Sequence, residues 1–264
     1  MYDFQFSKAG SIEEAVNLKK LEDAEFLAGG QTLIPTLKQR MANPRHLISL
    51  LGINELKGVK TDGEKQIRIG ATTTHEEVSR EAVCFKGLSA LAGKIGDPAV
   101  RNRGTIGGSI ANNDPSACYP AAVLAADASI VTNLREITAD DFFQGMFETA
   151  LNENELITEI RFPIPFKANY QKFEQPASRF ALVGVFLALF ETGVRLAITG
   201  ASANGVFRWT EGEKFLSENF VPGGIDELSF PNEDEFIDDL HGTGEYRCQL
   251  AKVLTSRAVI SCSI

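Results

Sequence analysis

Apolar positions recur along this chain with two different periods, and each change of period marks an element. Near the start, Ser11-Ile12-Glu13-Glu14 sets a hydroxyl cap and acidic residues ahead of an amphipathic stretch, which predicts a short helix through Lys20. Ala24 to Ala28 is a brief apolar strand that runs straight into Gly29-Gly30. Leu33, Leu37 and Met41 then repeat at helical spacing, so a helix is expected over Leu33 to Met41, with Pro35 tolerable only near its start. His46 to Leu51, the alternating Ile67 to Ala71, and Ser129 to Thr132 read as strands. Thr73 or Thr74 caps a helix from His75 to Arg80; Leu88 to Ile95 is helical, and Gly96-Asp97-Pro98 stops it. Pro120 to Ala126 is a helical run of small residues.

The texture changes at Phe162-Pro163-Ile164-Pro165-Phe166, where two prolines favour extended chain. Beyond it, Ser178 to Phe190 and Arg195 to Ala201 predict long antiparallel strands joined near Glu191-Thr192-Gly193. Helices are expected over Glu211 to Glu218, Glu233 to Leu240, and Glu245 to Ile260. The plan is α+β throughout: a ligand-binding domain over residues 1–166 and a smaller α+β domain over residues 167–264, without internal repeats.

Composition narrows the partners. The 264 residues are 44% hydrophobic and 23% charged, which is ordinary for a globular protein with a large core. A net charge of −9 without a basic block argues against nucleic acid or an anionic membrane as the main partner. The start, MYDFQFSKAGS, lacks a basic and apolar leader, and the most apolar run, Phe180 to Phe190, is too short to span a bilayer, so a cytoplasmic protein with no membrane span is expected. Cys84, Cys118, Cys248 and Cys262 form no CxxC pair, and His46, His75 and His241 are scattered; no protein-bound metal is expected.

Two glycine-centred segments carry the chemistry: AGGQTLIP, Ala28 to Pro35, and RNRGTIGGSIANNDPSACYPA, Arg101 to Ala121. Each sets adjacent glycines beside a hydroxyl, Thr32 in the first and Thr105 with Ser109 in the second. Without a Cβ, backbone N–H groups in such turns can converge on an anion. Two such segments suggest a dinucleotide gripped from two sides. Neither the P-loop pattern nor the Rossmann GxGxxG spacing is present, and there is no GxSxG or HExxH motif. The polar run Asn112, Asn113, Asp114 and Ser116 needs hydrogen-bond partners if buried, and a cofactor can supply them.

Five segments occur in the order of a known family: AGGQTLIP, IGATTTHEEV, GDPAVRNRGTIGGSIANNDPSACYPA, ENELITEIRFP and YQKFEQPASRFALVGV. The chain resembles the FAD-binding medium subunit of molybdenum hydroxylases, the xanthine dehydrogenase and aerobic carbon monoxide dehydrogenase family, over nearly its whole length. The resemblance implies a two-part FAD domain of the vanillyl-alcohol oxidase (PCMH) type, its halves about 1–52 and 53–166, then a C-terminal domain with a three-stranded antiparallel sheet and helices. It implies that Ala28, Gly29, Gly30, Gln31, Thr32, Leu33 and Ile34 wrap the FAD diphosphate, and that Thr105, Ile106, Gly107, Gly108 and Ser109 close from the other side. Ile95 and Ile157 match positions that pack on the adenine or flavin. Lys172 matches a position near the isoalloxazine, where a positive charge favours reduced, anionic flavin. Asn113, Asp114 and Cys118 belong to the same set. Several relatives carry Asp where Cys118 stands; the thiol is a poor hydrogen-bond partner, so either Cys118 sits near the flavin without anchoring it, or Asp114 and Tyr119 compensate.

The function implied is an oxidoreductase subunit without a catalytic side chain of its own. Electrons from a molybdopterin-binding large subunit would pass through [2Fe–2S] clusters of a small subunit to this FAD, and on to quinone or NAD, in a dimer of heterotrimers. The wording AGGQTLIP and TTTH leans toward the carbon monoxide dehydrogenase-like branch. Two competing readings are a stand-alone FAD-dependent reductase of the same fold and a scaffold subunit without cofactor.

Overall fold

In the computed structural model, residues 1–231 and 233–263 are described. Asn232, and Ile264 at the end of the expected second domain, lie outside the described residues. The chain begins with β1 (Gln5–Lys8), α1 (Ile12–Lys19), β2 (Ala24–Leu27), α2 (Leu33–Lys38) and β3 (His46–Ser49). These strands form a small sheet in the order β1-β3-β2, with β3 parallel to both neighbours. Ser11 caps α1 as its pattern predicts, its hydroxyl accepting from the Glu14 N–H at 3.2 Å. Helix α2 ends at Lys38, short of Met41, because the Met41 N–H turns back to the Thr36 carbonyl and Arg40 adopts φ +60°. Ala15, Ala24, Ile48 and Ile53 fill the core behind this sheet.

The next stretch holds β4 (Val59–Asp62), β5 (Gln66–Gly70), α3 (His75–Glu81), α4 (Lys86–Gly93), α5 (Pro98–Arg101), α6 (Ile106–Asn112) and α7 (Tyr119–Ala125). It continues with β6 (Ser129–Thr132), β7 (Glu136–Thr138), α8 (Ala139–Phe142), β8 (Phe143–Gly145), β9 (Glu148–Thr149) and β10 (Ile157–Pro163). Five of these strands make an antiparallel sheet in the order β4-β5-β10-β6-β7, and β8 and β9 form a separate hairpin. Thr74, rather than Thr73, caps α3 in a reciprocal box: its hydroxyl accepts from the Glu77 N–H, and the Glu77 carboxylate accepts from the Thr74 N–H at 2.7 Å. Thr73 instead ties the Gly58 peptide, accepting from its N–H and donating to its carbonyl. Gly96-Asp97-Pro98 both ends and begins a helix, because the Asp97 carboxylate caps α5 with Pro98 in its first turn.

The last unit comprises β11 (Lys167–Glu174), β12 (Ala181–Phe190), β13 (Gly193–Ser202), β14 (Gly205–Arg208), α9 (Thr210–Glu218) and α10 (Gly244–Ser263). Its antiparallel sheet has four strands in the order β11-β12-β13-β14, which corrects the expected three. Four residues of β14 are too few to show a period, yet they pair with β13 through Ala197↔Arg208 and Ile198↔Phe207. The expected helix over Glu233 to Leu240 is also absent: after one tight turn at Glu233–Glu235, the Ile237 N–H bonds the Ala201 carbonyl and the chain lies along the sheet.

Strand β12 explains the unbroken apolar run in the sequence, since both of its faces are covered. Val183, Val185 and Leu187 pack with Trp209, Leu254 and Ala258 on one side, beneath α10. Phe186 and Ala188 point the other way and join the core of the five-stranded sheet with Phe85, Tyr119 and Tyr170. The terminal unit is thereby packed directly on the one before it. Among the described residues, no helix is long and apolar enough to cross a membrane.

Candidate functional site

A cleft of about 820 Å³ runs between the small parallel sheet, the α5–α6 region and the loop joining β11 to β12. That volume is in the range of cofactor and ligand pockets. One end is the turn after β2. Gly30 sits at φ +74°, and a Cβ there would meet Ile34 Cδ1 at 2.7 Å, so the turn needs glycine. Gly29 lies against the Arg103 carbonyl and the Gly104 Cα, where a Cβ would overlap both. The two glycine segments, far apart in sequence, are therefore in backbone contact. Among the described residues, the consecutive N–H groups from Ala28 to Leu33 have no hydrogen-bond acceptor within the protein, whereas the Ile34 N–H bonds the Gly30 carbonyl at 3.1 Å. A run of unpaired amides along a cleft wall is a cradle for phosphate oxygens.

The second segment behaves differently from the amide-donating turn expected. Thr105 caps α6, its hydroxyl accepting from the Gly108 N–H at 3.2 Å, and the glycines fall in the first helical turn. The Ile106 N–H bonds the Thr73 carbonyl at 3.1 Å and the Gly107 N–H bonds the Ala71 carbonyl at 2.9 Å. A Cβ at Gly107 would come within 2.5 Å of the Ala71 Cβ. Glycine here allows the helix to press onto the strand that precedes α3, and its amides are engaged by protein. What this segment offers the cleft is the open face of Gly108 and the hydroxyls of Thr105 and Ser109.

Of the residues singled out from sequence, Ala28, Gly29, Gly30, Gln31, Thr32, Leu33, Ile95, Thr105, Gly107, Gly108, Ser109, Asp114, Cys118 and Ile157 line this one cleft. Ile34, Ile106, Asn113 and Lys172 do not line it. Ile106 is wholly buried in the central core. Asn113, in left-handed conformation at the end of α6, donates its amide to the Gly145 and Glu148 carbonyls and pins the β8–β9 hairpin. Lys172 lies behind the wall: its ammonium donates to the Lys94 carbonyl at 2.7 Å and the Arg179 carbonyl at 2.8 Å, and stands 4.0 Å from the Cys118 sulfur. Burial pushes the Cys118 thiol up, with the Lys172 charge only partly opposing, so it is a protonated thiol at neutral pH. Tyr119, one of the residues weighed as compensating for it, is wholly buried and its hydroxyl has no partner among the described residues.

Several further cleft residues lie inside the five ordered segments but were not among the expected site residues. Glu155 is buried and held at about 2 by hydrogen bonds from the Arg135 guanidinium, the burial that opposes this being outweighed with help from the Asn152 N–H and the Thr132 hydroxyl. Ser178, Arg179 and Phe180, within YQKFEQPASRFALVGV, reach the cleft from the β11–β12 loop. His75 is buried and lines the cleft next to the Tyr119 ring; burial, then the Arg101 charge, lower it to about 4, so it is neutral at physiological pH. Among the described residues there is no cluster of side chains that could hold a metal ion.

This fold, with one large cleft bordered by free amides, suits a protein that holds a phosphate-bearing cofactor. The chain belongs to the family of FAD-binding domains of molybdopterin dehydrogenases, which matches residues 2–165, and is an FAD-binding medium subunit of the carbon monoxide dehydrogenase and xanthine dehydrogenase type. It is 32% identical over 275 aligned residues to the carbon monoxide dehydrogenase medium chain of Hydrogenophaga pseudoflava, covering 97% of this chain and 96% of that one. Identity to the glyceraldehyde dehydrogenase medium chain of Sulfolobus acidocaldarius is 34%, covering 97% of each. The solved carbon monoxide dehydrogenase of Hydrogenophaga pseudoflava that lacks the Mo-pyranopterin moiety superposes with a TM-score of 0.88 at 31% identity, over 99% of this chain and 98% of that one. The protein is accordingly an oxidoreductase subunit whose cofactor is FAD.

Proposed function

We propose that this chain is the flavin relay of a three-subunit molybdenum hydroxylase. It would take electrons from [2Fe–2S] clusters of a small subunit, after substrate oxidation at a molybdopterin-binding large subunit, and deliver them to quinone or NAD. A carbon monoxide dehydrogenase-like complex, a dimer of heterotrimers in the cytoplasm, is the favoured setting. Residues 1–52 and 53–166 would be the two halves of a PCMH-type clamp, with residues 167–264 closing over one end. The bound flavin supplies the step between one-electron input and two-electron delivery.

The observation that carries this reading is the run of unpaired N–H groups from Ala28 to Leu33 beside a cleft of about 820 Å³. These amides, with Thr32, would hold the diphosphate. Gly108, Thr105 and Ser109 would face it across the cleft, and Ile95 and Ile157 would pack on the ring systems. Behind the wall, the Lys172 ammonium sits 4.0 Å from the Cys118 sulfur, its charge partly offset by the Glu174 carboxylate at 3.5 Å. Neutral His75 and ionised Glu155 shape the polar walls.

The test is flavin content. The purified chain, incubated with FAD and desalted, is expected to retain about one flavin per chain by visible absorbance, and to co-purify with large and small subunits when the three are co-expressed. A chain that folds but keeps no flavin overturns the reading.

A further inference from the structure

One stretch of the cleft wall is held by a residue that does not itself line it. Ile95, Gly96 and Val100 face the cleft between the end of α4 and α5. Gly96 sits at φ +51°, and a Cβ there would meet the Val100 Cβ at 2.9 Å, so the turn is folded tightly on α5. Among the described residues, no backbone N–H donates to the Ile95 or Gly96 carbonyl. Both carbonyls instead accept from Arg101 Nη1, at 3.4 and 3.2 Å. The same guanidinium reaches α3, where its Nε donates to the Glu76 carboxylate at 3.3 Å. Glu76 follows His75, whose N–H donates to the Gly104 carbonyl at 2.9 Å. His75 and Gly104 also line the cleft.

We propose that Arg101 is a positioning residue for the cofactor: by tying the Ile95–Gly96 turn to the first turn of α3, it fixes the stretch of wall on which a ring system of FAD packs. This role rests on the flavin reading. A guanidinium is a planar fork of donors, so one side chain can serve three acceptors at set relative positions. Its side chain is only 17% exposed, which limits competition from water. Ile95 packs partly on the central core, so apolar contact anchors its side chain while Arg101 anchors its backbone. A wall fixed before binding spares the cofactor the cost of ordering it. The charge acts in the same place: after burial, it is the second cause that lowers His75 to about 4 and keeps the imidazole neutral.

The experiment is fluorimetric titration of the full chain with FAD, together with visible circular dichroism of the bound flavin, whose band shape reports the asymmetry around the ring. Arg101→Met is expected to weaken FAD binding at least about tenfold and to change the band shape. Arg101→Lys keeps a charge for Glu76 but cannot serve both carbonyls in the same geometry, so it should fold and still show an altered band. Val78→Ala truncates the buried face of the same helix away from the cleft; it lowers stability and should leave the band as in the wild type.

A folded Arg101→Met chain with wild-type affinity and band shape overturns the proposal, and Arg101→Lys decides in the same way if Arg101→Met fails to fold. Weaker binding with an unchanged band, or the same band change in Val78→Ala, assigns Arg101 to stability alone and also overturns it. A wild-type chain that binds no FAD overturns the flavin reading and this role with it, whereas wild-type behaviour in the variants overturns this role only.

Discussion

Gly29 lies flat against the carbonyl of Arg103, close enough that a single added methyl group would overlap it. That contact joins the amide-rich turn after β2 to the segment that leads into α6. It sets the width of the cleft at its cradle end, because neither backbone can move without displacing the other.

Gly29→Ala is therefore expected to force the two segments apart. Overpacking of this kind costs about 1–3 kcal/mol, and the amides from Ala28 onward shift with it. Denaturant unfolding and the flavin-to-protein ratio check both parts. Gly223→Ala, where an added Cβ meets nothing within 4 Å, is the control and should leave stability and flavin unchanged. Full flavin occupancy in Gly29→Ala would contradict the cradle.

His75 predicts a pH dependence of a definite sign. Its ordinary value is 6.5 and burial lowers it to about 4 in the folded chain. Between those values the unfolded state binds the proton and the folded state does not, so stability rises with pH across that window. The contribution is fully present above 6.5 and is lost as pH falls toward about 4, amounting to up to about 3 kcal/mol. Denaturant midpoints measured across this range should fall less steeply in His75→Gln than in the wild type. Equal slopes would remove His75 as a source of the dependence.

Lys172 predicts a change in loop order. One buried ammonium ties the Lys94 carbonyl, at the end of α4, to the Arg179 carbonyl in the β11–β12 loop. Lys172→Met leaves both carbonyls without this donor, a loss of about 1–3 kcal/mol. Trypsin should then cut after Arg179 several-fold faster than in the wild type under native conditions. An unchanged cleavage rate would show that the loop is held by its own bonds, chief among them the Gln175 N–H to the Phe180 carbonyl.

Ser11 and Thr74 cap helices where the sequence reading set a cap, because such bonds reach only three residues along the chain. Thr105 and Asp97 also cap helices, α6 and α5, which were read instead as an anion-binding turn and a helix stop. The α6 glycines show the limit of such reading. Thr105-Ile106-Gly107-Gly108 looks like an open anion-binding turn, yet Ala71 and Thr73, more than thirty residues earlier, accept two of its amides. Asn113 was likewise legible as a polar residue needing partners, and Lys172 as a match to a position near the flavin; the partners of both proved to be distant backbone carbonyls.

The sequence by itself determined the α+β character, most helix starts, the two glycine segments and, through their order, the family. These follow from short-range periodicity and from residue types whose backbone preferences are local. Tertiary structure decided which amides stay free, that the β11–β12 loop reaches the cleft, that β14 joins the last sheet, and that Arg101 ties α3 to the turn after α4. Those outcomes depend on which carbonyl or side chain arrives from a distant part of the chain to satisfy or leave open each polar group, and no local pattern records that meeting.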